Sequence, residues 1–144
     1  MKHTLTLEGT DITFEASERD AEALRRIIND LLSDNGVVSI DAQDVKEILD
    51  GAERITVGEG TASGEGRCAA AARKAVENVM SANRLLVEVK SSPEITLMEL
   101  ADAAEMVHEV VDPTASIIWG HVIDDAMGDA VNVSVAAVSF AVED

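Results

Sequence analysis

Residues 39–45, SIDAQDV, place two carboxylates three positions apart just after a glycine-bounded turn. This D-x-x-D spacing of Asp41 and Asp44 suits two tasks. At the start of a helix Asp41 is a good N-cap and Asp44 a good N3 residue, because the first amides are unpaired there and the dipole favours negative charge. The same field favours the ionised carboxylate, which can accept a hydrogen bond from a water and orient it or partly deprotonate it. A helix start and a water-directing acid pair are therefore compatible readings of the same residues.

Other residues with chemical potential are spaced less tellingly. GEGTASGEGR, residues 58–67, has the glycine content of a phosphate loop, but no Lys precedes its Ser or Thr, and Glu59 and Glu65 would oppose a phosphate. Turn geometry and tight packing are the reasons expected for Gly58, Gly60 and Gly64, and Arg67 is expected to hold a carboxylate or a loop carbonyl. His3, His108 and His121 have no partner at zinc-ligand spacing, so no metal is expected. His121, Asp124 and Asp125 read as a solvated turn. Ser63 lies in no G-x-S-x-G elbow, and Trp119 reads as a strand-face packing residue. Cys68 is alone, which rules out a disulfide or a thiolate metal cluster within the chain.

Charge narrows the choice of partners. With 28 acidic residues against 11 basic ones, the net charge of −17 repels nucleic-acid backbones and anionic lipid, and neither is expected as a partner. Aromatic residues make up 2% of the chain, too few for base-stacking platforms. No apolar stretch approaches a membrane span and no charged-then-apolar leader begins the chain, so a cytoplasmic protein is expected. At 144 residues and 47% hydrophobic, the chain can bury a core built from Val, Ile, Leu and Ala.

The elements that would carry these residues follow from periodicity. HTLTLEGTDITFE, residues 3–15, alternates around an EGTD turn and predicts a β-hairpin. Ser17 opens a helix with Leu24, Ile27, Ile28, Leu31 and Leu32 on one stripe, ended by Asn35-Gly36. A helix over about 42–50 is terminated by Gly51. Residues 53–58 predict a strand, 58–67 a loop, 69–80 an alanine-rich helix able to approach a sheet closely, and 84–89 a buried strand. Thr96 and Glu99 form a T-x-x-E capping box opening the next helix. ASIIWGHVI and AVNVSVAAVSF predict two strands joined by DDAMGD, a hairpin closing the chain. This order is α+β or α/β, with helices covering a mixed sheet.

Four consecutive segments carry a family resemblance. GVVSIDAQDVKEIL resembles the G-L-I-N-x-D-F-A-D-V stretch of FtsZ, the tubulin-like cell-division GTPase of bacteria and archaea. VGEGTASGEGRCAAAARKAV is similar to that family's G-x-G-x-A-S-G-x-x-R-A-x-x-A segment. LLVEVKSSPEITLMELADAAEMVHEVVDPTASIIWGHVIDD and AVNVSVAAVSF resemble its following strand, helix and last strands, so that the likeness runs from about Leu24 to Val138. It implies an α+β C-terminal, or activation, domain: a mixed four-stranded sheet flanked by helices over residues 17–144, led by part of the central helix and preceded by the unmatched hairpin of residues 1–16.

The resemblance also implies roles. Asp41 and Asp44 would be the water-orienting pair that one filament subunit inserts into its neighbour's nucleotide pocket. Ser39 stands where the family carries Asn, Ala42 where it carries Phe, and Gln43 where it carries Ala. The family's nucleotide half has a G-G-G-T-G-T-G signature, and the nine glycines here include no adjacent pair. The chain is therefore expected to hold no cofactor by itself, with GTP and Mg reached only through a partner subunit, and to be a stand-alone domain. Three roles follow: an interaction module for FtsZ, an FtsZ-like protein or itself as a homo-oligomer; a loop that completes a partner's GTPase in trans; or a small-ligand binder on the same scaffold.

Overall fold

The chain opens on two antiparallel strands, β1 (Lys2–Leu7) and β2 (Thr10–Glu15), in unbroken register from Lys2↔Glu15 to Leu7↔Thr10. Glu8 and Gly9 connect them with positive φ at both positions, 45° and 80°, the handedness that fits a two-residue turn to the twist of its strands. The computed structural model describes the whole chain except residues 34, 35, 39, 78, 80, 81, 112 and 141–144, with backbone alone for 36–38.

Helix α1 (Glu18–Leu31) follows, and the Ser17 hydroxyl accepts the Asp20 amide at 3.0 Å while Glu18 and Asp20 sit at the positive end of the dipole. Its apolar stripe of Ala21, Leu24, Ile27, Ile28 and Leu31 is buried. The helix ends at Leu31. Gly36, expected as part of its stop, is the first residue of a short strand β3 (Gly36–Val38), and Asn35 lies outside the described residues.

Four further strands form the centre of a mixed sheet: β4 (Arg54–Ala62), β5 (Arg84–Ser91), β6 (Ser116–Ile123) and β7 (Val131–Ser139). Strand β7 lies antiparallel between β4 and β5, and β5 runs parallel to β6, so β5 separates β6 from β7 and the closing hairpin expected of those two strands is replaced by a crossover. This is the four-stranded unit that was expected, but among the described residues the sheet as a whole has seven strands in the order β1-β2-β4-β7-β5-β6-β3. Open edges explain the difference, because a bare edge presents unpaired amides. Strand β2 joins β4 in parallel at Glu15↔Arg54, where the Glu15 amide donates to the Glu53 carbonyl at 2.7 Å, and β3 joins β6 at Gly36↔Val122 and Val38↔His121.

Helices cover both faces. Alternation along β5 sends Leu86 into one core with α1 and α2 (Ala42–Leu49), and Leu85, Val87 and Val89 into a second with α3 (Arg67–Val76) and α4 (Leu97–Val110). The hairpin's apolar face belongs to the first core. Phe14 is 1% exposed beside the α1 stripe, a burial contributing about 2–3 kcal/mol.

Strand β4 overturns the loop expected at 58–67, since it runs on through Gly58 and Gly60 to Ala62 in register with β7. Tight packing is the cause. A Cβ on Gly58 would overlap the Ala75 carbonyl oxygen, and one on Gly60 would overlap that of Ala71 and stand 2.6 Å from the Lys74 Cβ. The alanines of α3 therefore lie against bare strand backbone; α3 itself spans Arg67–Val76, shorter than the 69–80 expected at its far end. Among the described residues no helix is long and apolar enough to cross a membrane.

Candidate functional site

Asp41 and Asp44 are brought together as a reciprocal cap at the start of α2. The Asp44 amide donates to Asp41 Oδ1 at 2.9 Å, and the Asp41 amide donates to Asp44 Oδ2 at 3.3 Å. These bonds use one oxygen of each carboxylate, and a carboxylate accepts at both, so the cap does not exhaust either acid. Asp41 is exposed and Asp44 half-buried. Ser39, the third residue of the motif, lies outside the described residues.

The helix beneath the pair is fixed at its other end. Val45 and Leu49 are fully buried, and Arg84 Nη1 donates at 3.1 Å to the carbonyls of both Glu47 and Asp50, satisfying the C-terminal turn while its guanidinium stacks 4.3 Å from the Phe140 ring centroid. Arg84 carried no sequence signal for this, since its partners are backbone oxygens of a helix more than thirty residues upstream. With two carboxylates already at the positive end of α2, that terminus repels a phosphate. The spare oxygen on each carboxylate leaves the pair able to meet a water or a cation.

A second feature borders the same part of strand β6. Ile40, next to Asp41, packs over Gly120 from the α1 side: a Cβ there would overlap Leu31 Cδ2 and stand 2.9 Å from Ile40 Cδ1. On the opposite face of that strand an apolar groove of about 290 Å³ is lined by Val89, Leu97, Leu100, Ala101, Ala104 and Trp119. Leu97 and Met98, at 83% and 77% exposed, stand beside it on the first turn of α4, directly after the Thr96–Glu99 capping box. Large exposed apolar side chains in a patch mark contact surfaces. Trp119, read from sequence as strand packing, is half-buried and walls this groove. The sequence signal for the patch was the LM pair at helix positions where a solvated face is normal.

The remaining candidates resolve into structure. Arg67 is 7% exposed and holds both expected partners: its Nε and Nη2 donate to Glu99 at 2.6 and 3.1 Å, and its Nη1 donates to the Asp129 carbonyl at 2.8 Å. Arg67 holds the Glu99 carboxyl below its ordinary value, with the Thr96 backbone amide adding to the effect. His121 does not join Asp124 and Asp125. Its Nε2 lies 2.8 Å from the Ser91 hydroxyl, which donates to the Ser92 carbonyl, and burial lowers its pKa. Ser91 is completely buried, so this pair is a packing contact out of reach of a substrate. Asp124 instead accepts the Ala126 amide at 3.0 Å. Burial pushes the Cys68 thiol up to about 11, which makes it a poor nucleophile. Among the described residues no group of three or more His, Cys, Asp or Glu gathers as a metal site.

A mixed sheet clad on both faces, fed by an amphipathic helix and an aspartate-capped second helix, has the fold of an FtsZ-type C-terminal domain. Residues 51–141 match the FtsZ family's C-terminal domain. The chain is 36% identical over 117 residues to cell division protein FtsZ 1 of Rhizobium meliloti (strain 1021) and 34% identical over 117 residues to FtsZ of Bartonella bacilliformis, in each case 76% of this chain and 20% of the relative. Among solved structures it is similar to the empty FtsZ dimer of M. jannaschii, with a TM-score of 0.71 and 25% identity over 82% of this chain and 37% of that one. CetZ from Methanosaeta thermophila shares the fold, with a TM-score of 0.60 over 84% of this chain and 36% of that one. The chain belongs to the FtsZ family and spans about a fifth of the length of the curated relatives it matches. The family match begins after Asp44, so Asp41 and Asp44 lie before the matched residues.

Proposed function

We propose that this domain is an assembly module of FtsZ-type filaments that docks on a partner at the end of the sheet where β6 carries the short edge strand β3. One observation carries the reading: an aspartate pair, of which Asp41 is exposed, and an apolar groove flanked by exposed Leu97 and Met98 border the same stretch of one strand, on its two faces. A partner that wraps the β3 edge can meet both. Membership of a family whose relatives are named cell division proteins supports a filament subunit as that partner. Within these 144 residues no glycines are adjacent, so these residues carry no glycine-rich triphosphate signature.

A second reading is favoured by the geometry of the cap. Asp41 is exposed at a helix start with an oxygen to spare, as a group must be if it is to direct a water in a neighbour's pocket. The two readings separate in one experiment: GTP turnover by a full-length FtsZ, measured with and without the domain and with its Asp41→Ala variant. If the domain completes the site in trans, turnover rises and Asp41→Ala removes the rise by roughly tenfold or more, the scale of a lost general base. If it is an assembly module alone, filament mass changes while turnover per filament subunit does not. No effect on either quantity would overturn both.

A further inference from the structure

Strand β5 carries a carboxyl group that the docking edge does not use. Glu88 is completely buried, and among the described residues neither of its oxygens has a hydrogen-bond partner of ordinary geometry. An orphaned buried carboxyl is uncommon, because its ionised form would forfeit the whole of its hydration. Its surroundings are set by register. Glu88 pairs with Gly120 on β6 and Ser134 on β7, and the space over Gly120 on the α1 side is filled by Leu31. Two residues on, and on the same face, Lys90 Nζ reaches Asp30 of α1 at 2.9 Å. Arg26, one turn before Asp30, is engaged with Glu59 of β4. Glu88 therefore lies under the last turns of α1, faced by Arg26 and Asp30 from the helix, Lys90 from its own strand, Ser134 from β7 and, through Arg26, Glu59 from β4.

We propose that Glu88 is a protonation latch for α1: as a neutral acid it lets the C-terminal turns of the helix seat on the sheet, and its ionisation favours their lifting away. Seating favours the proton because the alternative is a second negative charge beside Asp30, with the two facing cations already engaged, Lys90 by Asp30 and Arg26 by Glu59. Burial, reinforced by the Asp30 carboxylate, raises the Glu88 pKa from 4.5 to about 8. With the helix lifted and the group in water, its ordinary value returns. A pKa raised in the closed state means that closure is fully favoured below about 4.5 and loses that advantage progressively as pH rises to about 8. At neutral pH the latch is partly spent. It holds whether or not the aspartate pair serves a partner, since it needs only α1 and β5.

The test is backbone hydrogen exchange at Ile27, Ile28 and Leu31, corrected for the intrinsic effect of pH on exchange. Between about pH 6 and about pH 8 the opening constant of these amides should rise roughly fiftyfold in the native sequence and change by less than about threefold in Glu88→Gln, which cannot ionise. The same rise in both proteins would overturn the latch. Should Glu88→Gln fail to fold, the native protein decides: the Glu88 carboxyl carbon resonance and the opening constant of these amides should change over the same pH range, and opening that does not follow the titration contradicts the proposal.

Discussion

Arg67→Ala should destabilise the domain by about 3 kcal/mol, because it removes one partner of a largely buried, bidentate ion pair and leaves the other behind. Three elements meet at this side chain. Arg67 opens α3, Glu99 caps α4, and the Asp129 carbonyl belongs to the turn into β7. Loss of the guanidinium strands Glu99 over its own capping box and leaves the carbonyl unpaired. Arg67→Lys should recover only part of the loss, since an ammonium cannot reach two carboxylate oxygens and a carbonyl in one plane. Urea titration of the three proteins gives the comparison. The pH dependence has a definite sign. Glu99 has a depressed pKa in the folded state, so its contribution is present above the ordinary carboxylate value and is lost as pH falls through the depressed one. Arg67→Ala should therefore lose less stability on acidification than the native sequence, and an equal loss would remove Glu99 from the account.

Gly58→Ala is the second large effect, expected at about 3 kcal/mol, the upper range for forcing a methyl group into a filled interior. The added carbon would overlap the Ala75 carbonyl oxygen and stand 3.0 Å from its carbonyl carbon, and both are helix backbone. A flexible side chain could swing aside there, but a helix must move as a unit. Ala71, Ala72 and Ala75 are all completely buried, so that movement would open gaps along α3. A surface control such as Glu77→Ala should change stability by less than about 0.5 kcal/mol. Thermal unfolding of the two variants side by side checks the contrast, and similar midpoints would mean that α3 is not seated as described.

What could be read from the sequence was local. The caps at Ser17, Asp41 and Thr96 were legible because each involves a side chain and an amide three residues away. The strand and helix order from Arg54 to Ser139 was legible from periodicity and resemblance. Longer-range features were hidden. Gly58 and Gly60 argued for a loop because glycine weakens an isolated strand, and only the alanines of a helix ten residues on explain why a strand needs them. Strand β3 is three residues long, too short for any pattern. The hairpin was visible, but its place in the sheet rests on Glu15 meeting Glu53 and Arg54 across an intervening forty residues. Within RLLVEV, Glu88 read as part of a buried strand, and nothing in the chain announced that no partner awaited it.

The same division holds at the proposed docking edge. The aspartate pair stood out by its spacing, whereas Leu97, Met98 and Trp119 became a surface only when β6 and α4 were placed side by side. Sedimentation of the domain with a full-length FtsZ in the presence of GTP tests that surface most directly. The native domain should co-sediment with the filaments, and Leu97→Glu, which places a charge on an 83% exposed position and leaves the core untouched, should remain in the supernatant. Equal co-sedimentation of both proteins would contradict docking through this edge, and failure of the native domain to co-sediment would contradict the assembly role itself.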